Sequence, residues 1–96
     1  MAEVQLHQRA YVCARGVTLP VSYINADDST GIAVMMIEGK LVTLRATPTG
    51  SGVRYVALDE QDSYRLYTKG DEAFVRHLAA DHTAEEVTIL EGCVAP

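Results

Sequence analysis

The sequence predicts an all-β fold, either a small antiparallel barrel or a sandwich. Short segments rich in β-branched and aromatic residues recur along the chain, and turn signals separate them. The one stretch whose composition would permit a helical turn, residues 79–86, is too short to stand alone as a helix. A barrel would also remove exposed sheet edges. We expect one domain over residues 1–96, with a single core.

Seven or eight short strands are predicted from these segments. Arg15-Gly16 separates the first two, and the polar cluster 25–31 is a turn. A compact turn at 38–40 and a Pro-Gly break at 47–50 bound the fourth segment. In chain order, the segments cover residues 10–13, 19–24, 31–38, 41–45, 53–58, 63–68, 73–78 and 87–90.

Alternation along these segments predicts which side chains share a face of each strand. The segment 31–38 is nearly all apolar, so we expect it to lie inside the sheet. Val42 and Leu44 point to one face, and their neighbours point to the other. The fifth and sixth segments are predicted to form a hairpin. Both alternate between two faces, and Tyr55 belongs to one face of the fifth segment while Leu66 belongs to one face of the sixth.

The charge balance limits the classes of partner. Lysine and arginine total 8, and aspartate and glutamate total 13, for a net charge of −5. Nucleic acid would be repelled by this charge, so a basic partner is favoured, although mild acidity also serves solubility alone. No segment approaches the ~18 apolar residues that cross a bilayer. The first residues do not form a secretory leader, so we expect the leader, and any lipid-bearing cysteine, to lie upstream.

Two cysteines lie near opposite ends of the chain, at Cys13 and Cys93. Neither belongs to a CxxC pair, and no spacing of cysteine and histidine suits zinc. A bond between the two would close nearly the whole domain and would indicate an oxidising compartment. The alternative is two unrelated buried thiols.

Two glycine-bounded loops are the most informative feature for function. They lie at opposite ends of a strand-like segment, and one carries the Ser51 hydroxyl while the other carries the Lys69 ammonium. Glycine tolerates backbone angles that other residues avoid, so Gly52 and Gly70 are expected to let both side chains stand clear of the surface. The pattern is typical of a protein that inserts two groups into a partner. Taken alone, Lys69 is typical of a solvated turn, and Ser51 of a turn residue that bonds its own backbone.

The order and spacing of these motifs resemble the MliC-type proteins of Gram-negative bacteria, the membrane-bound lysozyme inhibitors of c-type lysozyme. The resemblance covers residues 11–93. The matching segments are Tyr11-Val-Cys13, Ser51-Gly-Val-Arg-Tyr55, Tyr67-Thr-Lys-Gly-Asp-Glu-Ala73 and the terminal Cys93. This sequence departs from the family pattern at two places. The segment between Tyr55 and Tyr67 is longer, and Tyr67 occupies a position where many relatives have tryptophan.

The resemblance implies an eight-stranded antiparallel β-barrel closed by a Cys13–Cys93 disulfide. It implies a periplasmic or outer-membrane-anchored lipoprotein that inhibits host c-type lysozyme by filling the active-site cleft, without a cofactor or metal. Ser51 and Lys69 correspond to the family residues that contact the catalytic carboxylates. Supporting residues are expected in or beside the two loops: Gly50, Gly52, Arg54, Tyr55, Tyr67, Thr68 and Gly70.

Ordinary structural roles and other functions are alternatives to this interpretation. We expect Arg54 to pair with an acidic neighbour such as Asp71 or Glu72 and so to hold the two loops together. Catalysis is disfavoured, because His77 and His82 have no evident third metal ligand. A small-ligand carrier is a second alternative, although a barrel of this size should be filled by its own side chains. A structural module of the bacterial envelope is a third.

Overall fold

The fold is a closed barrel of eight antiparallel strands, each paired with the next along the chain. It is described from a computed structural model, which covers residues 4–26, 31–81 and 83–95. A 3₁₀ turn at Ala14–Gly16 follows the first strand. The strands are β1 (Val4–Val12), β2 (Thr18–Ala26), β3 (Gly31–Ile37), β4 (Lys40–Pro48), β5 (Val53–Ala57), β6 (Asp62–Lys69), β7 (Glu72–Ala79) and β8 (Val87–Val94). The predicted all-β class and eight-stranded antiparallel barrel are confirmed.

Alternate residues of each strand fill the barrel interior. On β4, Val42 and Leu44 are buried whereas Leu41 is exposed, as the alternation predicts. Tyr55 and Leu66 also point inward on β5 and β6. Burying each large apolar side chain contributes about 1.5–3 kcal/mol. The largest fully buried side chains are Tyr11, Leu19, Met35, Leu44, Tyr64, Leu66, Val75 and Cys93.

Four strands differ from the sequence prediction by more than two residues or in their burial. β4 continues to Pro48, so Thr47 and Pro48 of the predicted break at 47–50 belong to a strand. β1 begins at Val4, six residues before the predicted start, and it pairs with β2 along its whole length. Residues 5–8 are all exposed, although Leu6 is apolar, because this part of the strand extends past the buried core. β8 continues to Val94 instead of ending at residue 90, and Gly92 within it has φ +62°. Only one face of β3 is buried in the barrel, because Met36 on the other face is 46% exposed.

The seam between the first and last strands is short. Among the described residues, Val12 and Val94 form the only register pair between β1 and β8. The Cys13–Cys93 disulfide bridges the same seam, and 80 residues of sequence separate its two cysteines. The bond implied by the family resemblance is confirmed, and the two cysteines are not unrelated thiols. The disulfide therefore closes the barrel covalently at the junction where the described residues of β1 and β8 form a single register pair.

The two ends of the barrel differ in character. One end carries the β4–β5 loop (residues 49–52) and the β6–β7 turn (residues 70–71), and we call it the loop end. At the opposite end, Lys40 Nζ donates to Asp62 at 2.8 Å, and the Tyr64 hydroxyl donates to Glu38 at 2.7 Å. His77 Nε2 also lies 2.7 Å from Asp62. These contacts tie the β3–β4 turn to β6 and β7.

The connection between β7 and β8 has no helix in its described residues, in agreement with the predicted loop. It contains one turn, in which the Ala84 amide donates to the Asp81 carbonyl at 2.9 Å. His82, considered above as a metal ligand, lies outside the described residues. Across the described ranges, no helix has the length and apolar character that a bilayer crossing requires.

Candidate functional site

The fold brings Ser51 and Lys69 to the same end of the barrel. The segment between them is not a single strand, because it folds back as the β5–β6 hairpin, in which Val53 pairs with Thr68. The loops at its two ends in sequence are therefore neighbours in space. Both side chains are exposed and line one cleft of about 570 Å³.

The loop that carries Ser51 is closed by its own first residue. Thr49 Oγ1 donates to the Gly52 carbonyl at 2.9 Å and accepts from the Gly52 amide at 3.1 Å. The Thr49 amide donates to the same carbonyl at 3.0 Å. Three hydrogen bonds within four residues fix the loop, so the Ser51 hydroxyl is presented from a preset backbone.

A glycine is required at position 52 because the structure leaves no room for a side chain there, and not because the backbone adopts an unusual angle. Its φ does not lie in the left-handed region, contrary to the sequence-based expectation. A Cβ atom at this position would overlap the Thr68 carbonyl oxygen on β6 and lie 3.5 Å from the Lys69 Cβ. The close approach of the Ser51 loop to the end of β6 therefore depends on a residue without a side chain.

Replacing Gly52 with alanine is expected to push the Ser51 loop away from β6. Because the clash is with backbone, the cost should fall in the overpacking range of about 1–3 kcal/mol. Thermal or urea denaturation measures it. Gly50→Ala is the matched control in the same loop, because a Cβ there meets nothing within 4 Å. Equal losses of stability in both variants would contradict the spatial role of Gly52.

The turn that carries Lys69 is short, and residues distant in sequence hold it in place. Lys69 is the last residue of β6 and pairs with Glu72, and Gly70 has φ +60°. Asp71 accepts a hydrogen bond from Arg9 Nη1 at 2.8 Å, and its carbonyl accepts from the Ala95 amide at 2.8 Å. Within the described part of the chain, Lys69 has neither an ion pair nor a side-chain hydrogen bond. Its ammonium is available to an outside acceptor.

The predicted pairing of Arg54 with Asp71 or Glu72 is wrong. Asp71 pairs with Arg9, and neither Arg54 nor Glu72 has an ion pair among the residues described. Arg54 lies on the outer wall of β5 opposite Tyr67, and no described residue bonds its buried Nε atom. Arg54 therefore does not link the two loops through a carboxylate.

Tyr67 is part of an outer-wall cluster next to the cleft. Its ring stacks on Phe74 with centroids 4.7 Å apart, and the Arg76 guanidinium lies 5.6 Å from the Tyr67 centroid. The Tyr67 hydroxyl donates to Glu86 Oε1 at 2.8 Å. Burial first, and then this hydrogen bond, raise the pKa of Tyr67. Tyr67 thus stabilises the wall beneath Lys69 and holds the β7–β8 connection through Glu86.

The remaining predicted site residues have supporting positions. Tyr55 is not a loop residue, because it is buried on β5 with its ring 5.5 Å from that of Tyr23. The Tyr23 hydroxyl lies 2.8 Å from that of Tyr11, and burial, followed by this hydrogen bond, raises the pKa of Tyr23. Thr68 is half-buried at the end of β6, and Gly50 is exposed beside Ser51. Tyr11, Tyr23 and Tyr55 line one pocket with Thr68 and Gly70, whereas Gly50 belongs to the Ser51 loop itself.

Three contacts at the site escaped sequence reasoning. The Thr49 turn has a local signal, since a threonine three residues before a glycine is a common turn former. The Arg9–Asp71 pair joins residues 62 apart in sequence, and the Ala95 bond starts from the end of the chain. Neither long-range contact has a local pattern that would reveal it.

A small antiparallel barrel with a disulfide across its seam and two adjoining polar loops at one end defines the class of this protein. The sequence profile of the membrane-bound lysozyme-inhibitor of c-type lysozyme family matches residues 11–84, and the chain belongs to that family. The matched residues include both loops.

Comparison with solved structures supports the fold. PliC-St, the periplasmic lysozyme inhibitor of C-type lysozyme from Salmonella typhimurium, superposes with a TM-score of 0.81. The two sequences are 23% identical, and the match covers 96% of this chain and 99% of that chain. At this identity the likeness establishes the barrel and not the partner. No functionally curated protein is significantly similar in sequence.

Proposed function

We propose that this protein inhibits c-type lysozyme by inserting the loop end of its barrel into the active-site cleft of the enzyme. The observation that carries the proposal is the joint exposure of Ser51 and Lys69 on two fixed, neighbouring loops. Family membership supplies the class of partner. Loops already ordered in the free protein lose little conformational freedom on docking, which favours tight association.

The chemistry of the two groups suits the catalytic pair of lysozyme. One carboxyl of that enzyme keeps its proton in an apolar pocket, while the second stays ionised. The Lys69 ammonium would donate to the ionised group, and charged hydrogen bonds are stronger in a site that excludes water. The Ser51 hydroxyl can donate to one carboxyl and accept from the other. The inhibitor itself performs no reaction in this mechanism.

The disulfide and the family membership also support a periplasmic location. A structural disulfide persists in an oxidising compartment, and the Cys13–Cys93 bond spans most of the chain. We further propose that residues 1–96 act as one unit.

The direct test is the rate at which a c-type lysozyme lyses bacterial cell walls in the presence of the protein. We expect lysis to slow as the protein is added and to stop at a modest molar excess. Lysis at full speed in a large excess would overturn the proposal. Lipid recovered with the purified protein, together with unaffected lysis, would favour the carrier alternative, although core side chains fill the barrel interior.

A further inference from the structure

We propose that Arg9 is a positioning residue for Lys69, acting through its ion pair with Asp71. The inference rests on the proposed function, in which the Lys69 ammonium is the main contact with the enzyme. Arg9 lies on β1, far from Lys69 in sequence, and no motif in the chain marks it.

The geometry places Arg9 at the rim of the barrel. Arg9 lies two residues before the buried Tyr11 and so on the same, inward face of β1, and its side chain is 27% exposed. Nη1 donates to Asp71 Oδ1 at 2.8 Å, and Nε donates to His7 Nε2 at 3.0 Å. Two donors of one planar group are thus engaged, so the guanidinium is held in a single orientation.

Asp71 is anchored at two points. Arg9 binds its carboxylate, and the amide of the buried Ala95 binds its carbonyl. Only Gly70 lies between Asp71 and Lys69, and Gly70 has the left-handed φ that glycine readily adopts. Fixing Asp71 therefore limits the directions in which the turn can present Lys69.

The ion pair also controls the charge beside Lys69. A free Asp71 carboxylate, two residues away, would compete for the Lys69 ammonium. It would also repel the carboxylates of the enzyme when the loop end docks, because like charges brought together oppose association. Arg9 binds that carboxylate and removes both effects.

The test is a double-mutant cycle of Arg9→Met and Asp71→Asn, with the inhibition constant as readout. Methionine keeps the apolar stem of Arg9 but removes its charge. We expect Arg9→Met to weaken inhibition by roughly two- to fivefold, the range for a partly exposed ion pair. In the Asp71→Asn background, the same change should have no further effect. Equal weakening in both backgrounds, or no weakening in either, would overturn the proposal.

A second measurement needs no lysozyme. We expect Arg9→Met to lower the backbone NMR order parameters of residues 69–72 in the free protein, whereas Arg45→Met on the outer wall of β4 leaves them unchanged. Unchanged order in both variants would overturn the positioning role, even if the wild type inhibits. Lowered order in Arg9→Met with an inactive wild type would sustain the anchoring of the turn while refuting the proposed function.

Discussion

Replacing Lys69 with glutamine should raise the inhibition constant for c-type lysozyme by roughly 30-fold or more, because a charged contact truncated in a buried interface loses at least that much affinity. Glutamine keeps most of the side-chain length but lacks the positive charge. The change should leave stability nearly unaffected, since Lys69 is exposed and forms no ion pair within the described residues. The measurement is a titration of lytic activity at constant enzyme concentration.

Arg45→Gln is the charge-matched control. Arg45 is exposed on the outer wall of β4 and lies outside the cleft that Ser51 and Lys69 share. Both variants remove one positive charge, so any general effect of net charge appears equally in each. We expect Arg45→Gln to inhibit like the wild type. Parallel losses in the two variants would show that overall charge, and not the position of Lys69, governs inhibition.

Ser51→Ala separates the second group from the first. A neutral hydrogen bond contributes about 0.5–1.5 kcal/mol, so the expected weakening is roughly two- to tenfold. The Ser51 loop is held by three hydrogen bonds between Thr49 and Gly52, and none of them uses the serine hydroxyl. The substitution therefore tests the hydroxyl without altering the loop.

Local patterns in the sequence predicted most of the barrel. Alternation predicted that Val42 and Leu44 share one face of their strand, and the structure shows that this face is buried, because a half-buried strand has a period of two. The same rule misses the start of β1, where the strand leaves the core and no longer needs apolar residues on one face. Strand length beyond the core depends on pairing with β2, which is a tertiary property.

The exposure of Ser51 and Lys69 was predicted from the sequence, but the contacts that anchor their loops were missed. Ser51 and Lys69 stand beside glycines, which local reasoning can recognise. Arg54 was predicted to pair with an acidic residue of the other loop, but Asp71 pairs with Arg9 of β1 instead. The need for glycine at position 52 arises from the Thr68 carbonyl on a neighbouring strand. Such contacts depend on how the barrel closes, which residue spacing does not encode.

Loss of the Cys13–Cys93 bond should produce the largest change in stability. Its cysteines are 80 residues apart, and the chain-entropy estimate for a loop of that length is about 4–5 kcal/mol. Each kcal/mol corresponds to about 4–8 °C in a domain of this size, so Tm should fall by roughly 15–40 °C. Calorimetry of the wild type with and without reductant measures the shift.

A variant with Cys13→Ala and Cys93→Ala is the matched control. It should melt near the reduced wild type, and added reductant should not change it. If reductant leaves the wild-type Tm unchanged, the bond does not contribute to closure of the barrel. A large drop in the double variant alone would assign the effect to lost packing of the buried sulfur atoms, since both cysteines lie in the core.

The same bond should also affect inhibition below the melting temperature. Val12 and Val94 are the only β1–β8 pair in the described residues, so the seam has little else to hold it. Arg9 on β1 binds the Asp71 carboxylate from the far side of this seam, whereas the bond from the Ala95 amide to the Asp71 carbonyl continues the β7–β8 ladder. Opening the seam would separate Arg9 from Asp71 and loosen the Lys69 turn while the rest of the barrel remains folded. We therefore expect reductant to weaken inhibition at temperatures where the barrel signal in circular dichroism is unchanged.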